Sequence, residues 1–343
     1  MVFSMPSTLT LQPALVESPV MGRAILETLV YSDIFKHPLR LDELHRYLPL
    51  LADEQEMAHA LQSLNGHVEK KDGFYFLAGH EEIVGIRKGR EARSRKTLPT
   101  ALKYGRILGA LPFVRMVALT GSLAVLNLSK NSDFDYMLVT AKGRVWTARA
   151  FALLLNRVAR LLGQTICPNL IISESALEWP LHDLYSAREL YQMIPITGMD
   201  VYERLMKANE WAGNFLPNRS HDFSREKKAT EVTTTPKTFF EYILRGKLGD
   251  GFEHWEMTRK VARFSKQEGF GEETVFTAEV CQGNFHHHRK WTHEIFQQKL
   301  NNLSNDSPLL MGEGLGVRAL AAIPGGEMLE NSLPRTAMGA YKL

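Results

Sequence analysis

Two short apolar runs, residues 114–120 and 134–140, enclose a Gly121-Ser122 pair and an Asp133-Phe134-Asp135 triplet. This order constrains the chain more than any other feature. Residues 114–120 are apolar and partly β-branched and stop at the Gly-Ser pair, as a buried strand stops at a turn. Residues 123–128 suit one or two helical turns, and 134–140 has the pattern of a second buried strand. Side chains alternate across a strand, so Asp133 and Asp135 share one face while Phe134 points into the core. Two neighbouring carboxylates repel unless a cation lies between them, and hard oxygen ligands suit Mg²⁺. Gly121, preceded by Thr120, lets the backbone approach a polyphosphate closely, and Ser122 opens a helix whose free N–H groups attract anions. The pattern predicts a phosphate cradle facing a carboxylate pair.

This order of strand, Gly-Ser, helix and Asp-x-Asp in a second strand resembles the nucleotidyltransferase superfamily typified by DNA polymerase β and the aminoglycoside nucleotidyltransferases. Thr120-Gly121-Ser122 matches the hydrophobic-Gly-Ser signature and Asp133-Phe134-Asp135 matches the Asp-x-Asp element. The motif resemblance covers 114–173, and the layout of 21–300 resembles uncharacterised bacterial nucleotidyltransferase-domain proteins. It implies an α+β fold with a polymerase β-like mixed sheet. It also implies transfer of a nucleoside monophosphate from an NTP to an acceptor hydroxyl or phosphate. Asp133 and Asp135 would be Mg²⁺ ligands, and Thr120, Gly121 and Ser122 would hold the nucleotide. Members usually carry a third carboxylate on a later strand. The next strand candidate, 164–173, has Asn169 in that place and Glu174 just past its end. An amide lends a carbonyl oxygen to a metal but is uncharged and a poor general base. Asn169 and Glu174 are therefore the candidates for completing a second metal site or orienting the acceptor. The absent strand acid leaves a second reading, a catalytically weak or inactive nucleotide-binding regulator.

A chain of 343 residues suggests two or three domains, and its 44% hydrophobic and 23% charged content are those of a soluble globular protein. A net charge of +3 makes no case for nucleic acid. Arg87, Lys88, Arg90, Arg93, Arg95, Lys96 and Lys103 do cluster ahead of the motif, and read as the solvated face of a helix rather than a phosphate patch. Two cysteines, Cys167 and Cys281, make no disulfide framework. Residues 1–19 lack the basic and apolar regions of a signal peptide, and no run approaches the ~20 apolar residues of a membrane span. The expectation is a cytoplasmic protein with no membrane partner.

Residues 1–20 read as a disordered N-terminus. Residues 21–85 show three helices and then a hairpin around Lys71-Asp72-Gly73, the order of a winged helix. Its third helix, 53–69, starts acidic and has no Arg or Lys, whereas a helix entering the major groove needs positive charge. The module therefore reads as a packing or substrate-presenting unit, with DNA or protein binding as the regulatory alternative. Residues 86–180 form the expected nucleotidyltransferase core. Residues 181–300 read as helical, with segments 181–193, 200–214, 238–267 (interrupted at 246–251) and 273–300. Tyr202, Trp211 and Phe215 fit helical core better than an aromatic wall for a base. His286, His287, His288 and His293 cannot converge on one ion from a helix and read as a polar patch. Residues 301–343 read as a poorly ordered Gly/Pro-rich tail. The acceptor (small molecule, protein or nucleic acid) and the choice of NTP are left open by the sequence.

Overall fold

A computed structural model describes residues 18–130, 132–219, 235–271 and 273–306. The first elements are three helices, α1 (Ser18–Ile34), α2 (Leu41–Arg46) and α3 (Glu54–Ser63). Asp53 starts α3 by accepting from the Gln55 N–H at 2.6 Å, and Glu56 closes a capping box. An antiparallel hairpin follows, β1 (Val68–Lys71) and β2 (Phe74–Leu77), and Leu39 adds an isolated bridge to Tyr75. The turn holds Asp72 and Gly73 at φ of 53° and 80°, the positive pair that a two-residue hairpin loop requires. A single helix, α4 (Glu82–Gly109), begins slightly before the expected start at 86 and carries the chain to the sheet.

The two motif runs become β3 (Val114–Leu119) and β4 (Phe134–Thr140), joined through α5 (Gly121–Ala124). After them come α6 (Val145–Leu161), β5 (Ile166–Ser173), α7 (Leu184–Gln192), β6 (Ile194–Thr197) and α8 (Met199–Ala208), the last extended by a 3-10 turn, Glu210–Asn214. The chain continues through α9 (Thr235–Ile243), α10 (Lys247–Phe264), β7 (Thr274–Phe276), β8 (Val280–Gly283) and α11 (His288–Asp306). The six-stranded sheet has the order β6-β3-β4-β5-β8-β7. Only β4 and β5 pair in parallel, with α6 as their crossover, so the protein is α+β with a mixed sheet.

The expectation of helix over 273–300 is corrected: β7 and β8 form one edge of the sheet, and the helix begins only at His288. β6 was likewise not expected. Pro195 both ends α7 and enters this strand at the opposite edge, where a missing N–H costs no ladder bond on the outer side. The predicted break near 246–251 is found at Gly246, between α9 and α10. The expected disordered N-terminus up to residue 17, residues 220–234 and the expected tail from 307 lie outside the described residues. Residues 18–20 open α1 and 301–306 close α11. No described helix is long and apolar enough to cross a membrane.

Helices cover both faces of the sheet. One face packs Val117, Leu119, Tyr136 and Leu138 against α4, α6 and α10, with Trp146 fully buried. The other packs Met116, Ala118, Met137 and Val139 against α7, α8 and α11, and the same apolar cluster runs on into α1, α2 and α3. Packing is thus continuous across the expected boundary at 85/86. Tyr202 and Phe215 are buried in this cluster and Trp211 packs on it, so these aromatics are core. Long-range carboxylates fasten the later elements to helix ends. Glu253 accepts from the Trp146 and Thr147 N–H groups at 2.8 and 2.7 Å, capping α6 from α10. Glu273 does the same for Arg289 and Lys290 at the start of α11.

Candidate functional site

Thr120 leaves β3 in extended conformation and its N–H donates to the Asp135 carbonyl at 2.9 Å, which fixes the turn beside the start of β4. Gly121 then takes φ +63°. A Cβ placed on it would lie 2.5 Å from Asp135 Oδ2, so the backbone rests directly against that carboxylate. Only glycine meets both demands, the left-handed φ and the missing methyl. Phe134 is buried in the opposite cluster, which leaves Asp133 and Asp135 on the other side as expected; Asp133 is exposed and Asp135 half-buried.

The loop between α5 and Asp133 is gripped by α4. Arg90 donates to the Phe35 carbonyl at 2.9 Å and to Asn127 Oδ1 at 3.2 Å. Arg93 donates to the Leu128 carbonyl at 2.9 Å, and Ser94 accepts the Leu128 N–H at 3.0 Å. This corrects the reading of the basic cluster as a solvated face for Arg87, Arg90 and Arg93, while Lys88, Arg95, Lys96 and Lys103 are exposed as that reading expects. Arg87 is fully buried in ion pairs, Arg90 and Arg93 hold the site loop, and Lys88 and Arg95 pair with Asp72 and Glu91. A second correction concerns α5, which spans only Gly121–Ala124. So short a helix has little macrodipole, and any pull on an anion comes from the unbonded N–H groups of its single turn.

Of the two residues expected to stand in for a third acid, Glu174 is not brought to the pair. In the β4–β5 register Tyr136 pairs with Pro168 and Met137 with Leu170, so Asn169 is the unpaired residue of a bulge and is exposed. Cys167, half-buried, is the residue directly beside Asp135. Burial, with the charges of Asp135 and Asp133, pushes its thiol up to about 12. Glu174 donates its N–H to the Thr140 carbonyl at 2.8 Å and ion-pairs with Arg204 at 3.6 Å. A strand rises about 3.3 Å per residue, which puts Thr140 about 16 Å along β4 from Asp135, so Glu174 lies at the opposite end of the sheet.

The carboxylate that does act on Asp135 is Glu189, on α7. Burial first, then the charges of Glu189 and Asp133, push the Asp135 carboxyl up to about 7. Burial raises Glu189 to about 7 as well. Among the described residues no cation is one of the groups acting on either acid. Helix α7 lies over the face of the sheet that carries Asp135 and also touches α5. The sequence signal for Glu189 was faint: one acid on a helix otherwise read for its apolar positions Leu184, Ala187, Leu190 and Tyr191. Thr120 adds a further unsatisfied group. It is 6% exposed, and its hydroxyl has no hydrogen-bond partner among the described residues, a deficit of about 1–3 kcal/mol unless something binds there.

Asp133, Asp135 and the Gly121-Ser122 turn offer hard oxygen ligands and backbone donors, which fit Mg²⁺ with a polyphosphate. Among the described residues no three His, Cys, Asp or Glu side chains form a preformed metal cage, the histidine run included. That suits Mg²⁺, which takes one or two carboxylates and completes its shell with water and substrate phosphate. Comparison with protein-family models, with curated proteins and with solved structures gives no match.

Proposed function

We propose that this protein is a metal-dependent nucleotidyltransferase that moves a nucleoside monophosphate from an NTP to an acceptor hydroxyl or phosphate. The observation that carries the reading is the contact between the Gly121 backbone and the Asp135 carboxylate, with no protein cation neutralising that acid. Asp133 and Asp135 would hold Mg²⁺, which when bound would supply positive charge to neutralise the reacting triphosphate. The N–H groups of Gly121 and Ser122 cradle the β- and γ-phosphates, and Thr120 fixes the turn through its bond to Asp135. The acceptor oxygen attacks the α-phosphorus, an acceptor hydroxyl giving up its proton to solvent water, the bond to the bridging oxygen of pyrophosphate breaks, and pyrophosphate leaves with that electron pair. In the same reading β3–α5–β4 with β5 is a polymerase β-like core, and α1–α3 with the β1–β2 hairpin and the Leu39 bridge is a winged-helix module. The exposed side of α3 carries Glu54, Gln55, His59 and Gln62 and no Arg or Lys, which favours a packing or substrate-presenting role over DNA.

The test is pyrophosphate release from each of the four NTPs with Mg²⁺ against pools of small-molecule, protein and RNA acceptors. One combination is expected to turn over with wild-type protein and not with the Asp133→Asn, Asp135→Asn double variant at equal foldedness by circular dichroism. Equal turnover by the double variant would overturn the assignment.

A further inference from the structure

We propose that the outer side of α6, α9 and α10 seats the protein on an anionic membrane surface. The proposal is independent of the nucleotide reading, because these helices cover the Phe134 face of the sheet and Asp135 lies on the other. Most of the large apolar side chains exposed among the described residues belong to these three helices. Leu154, Val158 and Leu161 follow one another on α6 at spacings of four and three, and Leu248, Phe252 and Trp255 do the same on α10. Each set is therefore a stripe along its helix. On α9, Phe239 and Tyr242 are exposed, and the Phe240 ring lies 6.3 Å from Phe151 of α6. Inward, Ala152, Leu244, Met257 and Val261 pack on the cluster of Val117 and Leu138, so the outer sides look away from the sheet together. So much exposed apolar area on one side marks a surface that binds something.

Charge decides the kind of partner. Helix α6 contains no Asp or Glu. Glu241 of α9 and Glu253 and Glu256 of α10 are buried, and the exposed Asp250 pairs with Arg144 at 2.7 Å. Arg157, Arg160, Arg245, Lys247 and Arg263 are exposed beside the apolar stripes, so the side turned to solvent is basic. Two copies meeting there would set like charges against each other. A nucleic acid would answer the arginines and aromatic rings, but it has no use for bare leucines. Leu161 at 87%, Leu248 at 82% and Tyr242 at 78% exposure stand clear of their surroundings instead of lining a groove. Protruding apolar side chains flanked by Arg and Lys, with Trp and Tyr among them, are the composition of a helix lying in the bilayer interface. The expectation of no membrane partner rests on the lack of a spanning run, and a helix that lies against a bilayer needs none.

The experiment floats the full chain with vesicles of phosphatidylcholine alone and of phosphatidylcholine mixed with phosphatidylserine. Wild-type protein is expected to bind the mixed vesicles, to bind the neutral ones far less, and to be released by salt. Leu161→Ser and Leu248→Ser should each weaken binding about tenfold. Arg157→Gln and Lys247→Gln should each weaken it about fivefold. Leu51→Ser, at a leucine 69% exposed between α2 and α3, should leave binding unchanged. No binding to the mixed vesicles, or equal binding to both kinds, would overturn the proposal. Vesicle binding untouched by the leucine variants would overturn it too. Capture of an oligouridylate that Arg157→Gln loses and Leu161→Ser keeps, without vesicle binding, would give this side to nucleic acid instead. A dimer in sedimentation that Leu161→Ser dissociates, again without vesicle binding, would give it to a second copy. Either result rejects the membrane seat, and none of these outcomes bears on the nucleotide reading.

Discussion

Carboxylates in two parts of this molecule are treated in opposite ways. Between α2 and α4, Glu43 receives Arg87 at 2.7 Å, and Glu91 receives Arg40 at 2.9 Å and Arg95 at 2.6 Å. Burial by itself raises the Glu91 carboxyl, but the hydrogen bonds from Arg95 and Arg40 and the charges of Arg40 and Arg87 outweigh it and hold the group at about 2. His37 in the same network is driven down to about 3 by burial and by Arg87, which donates to its neutral ring. At the start of β4 the same burial acts on Asp135, no arginine arrives, and both Asp135 and Glu189 stay near 7. The first region spends its charges on holding helices together. The second keeps two acids raised by burial, the imbalance on which the proposed metal site rests.

The largest expected effect tests the paired region. Arg87→Ala leaves Glu43 and His37 facing a buried gap and should destabilise the protein by about 3–5 kcal/mol in urea unfolding. A loss below about 1 kcal/mol would mean that the network is incidental. Next comes Gly121→Ala, which forces a side chain into φ +63° and against Asp135 Oδ2. It should cost about 1–3 kcal/mol and weaken nucleotide binding together, since the turn and the acid cannot both stay in place. Stability and binding that both survive would show the contact to be soft.

Asp135→Asn should have the opposite sign. Without divalent cation at pH 8 it removes a disfavoured charge and should raise the melting temperature by a few degrees, read by differential scanning fluorimetry. A lower melting temperature would contradict an unneutralised acid there. The smallest effect is the pH dependence. Asp135 and Glu189 have folded-state values raised from 3.8 and 4.5 to about 7. Their contribution is therefore full below about pH 4 and is lost as pH rises through 7. Glu91, lowered from 4.5 to about 2, contributes above pH 4.5 and loses it as pH falls through 2. The melting-temperature gain of Asp135→Asn should accordingly shrink toward zero between pH 8 and pH 5; a gain independent of pH would break the comparison.

The sequence made the motif legible because its determinants are local. Strand, turn and strand fall within 114–140, and the side of Asp135 follows from the alternation around Phe134. The rest depends on contacts between distant segments. β6, β7 and β8 have three or four residues each, too few for a period to show, and become strands by pairing with β3 and β5. Asn169 looked like the site position until the register revealed a bulge that puts Cys167 beside Asp135. Glu189 bears on Asp135 through its charge because α7 packs over that sheet face, which no spacing in the chain encodes. The basic cluster misled at Arg90 and Arg93 for the same reason, since they bond to Phe35, Asn127 and Leu128.

The central claim is that the Gly121 turn and Asp135 together clamp a metal-bound nucleoside triphosphate. Calorimetric titration of each NTP with Mg²⁺ into wild-type protein and Asp135→Asn tests it most directly. Saturable binding of at least one NTP, weakened tenfold or more in the variant and absent when Mg²⁺ is removed, is the result the account predicts. Equal binding by the two proteins, or no binding of any NTP by wild type, would contradict it.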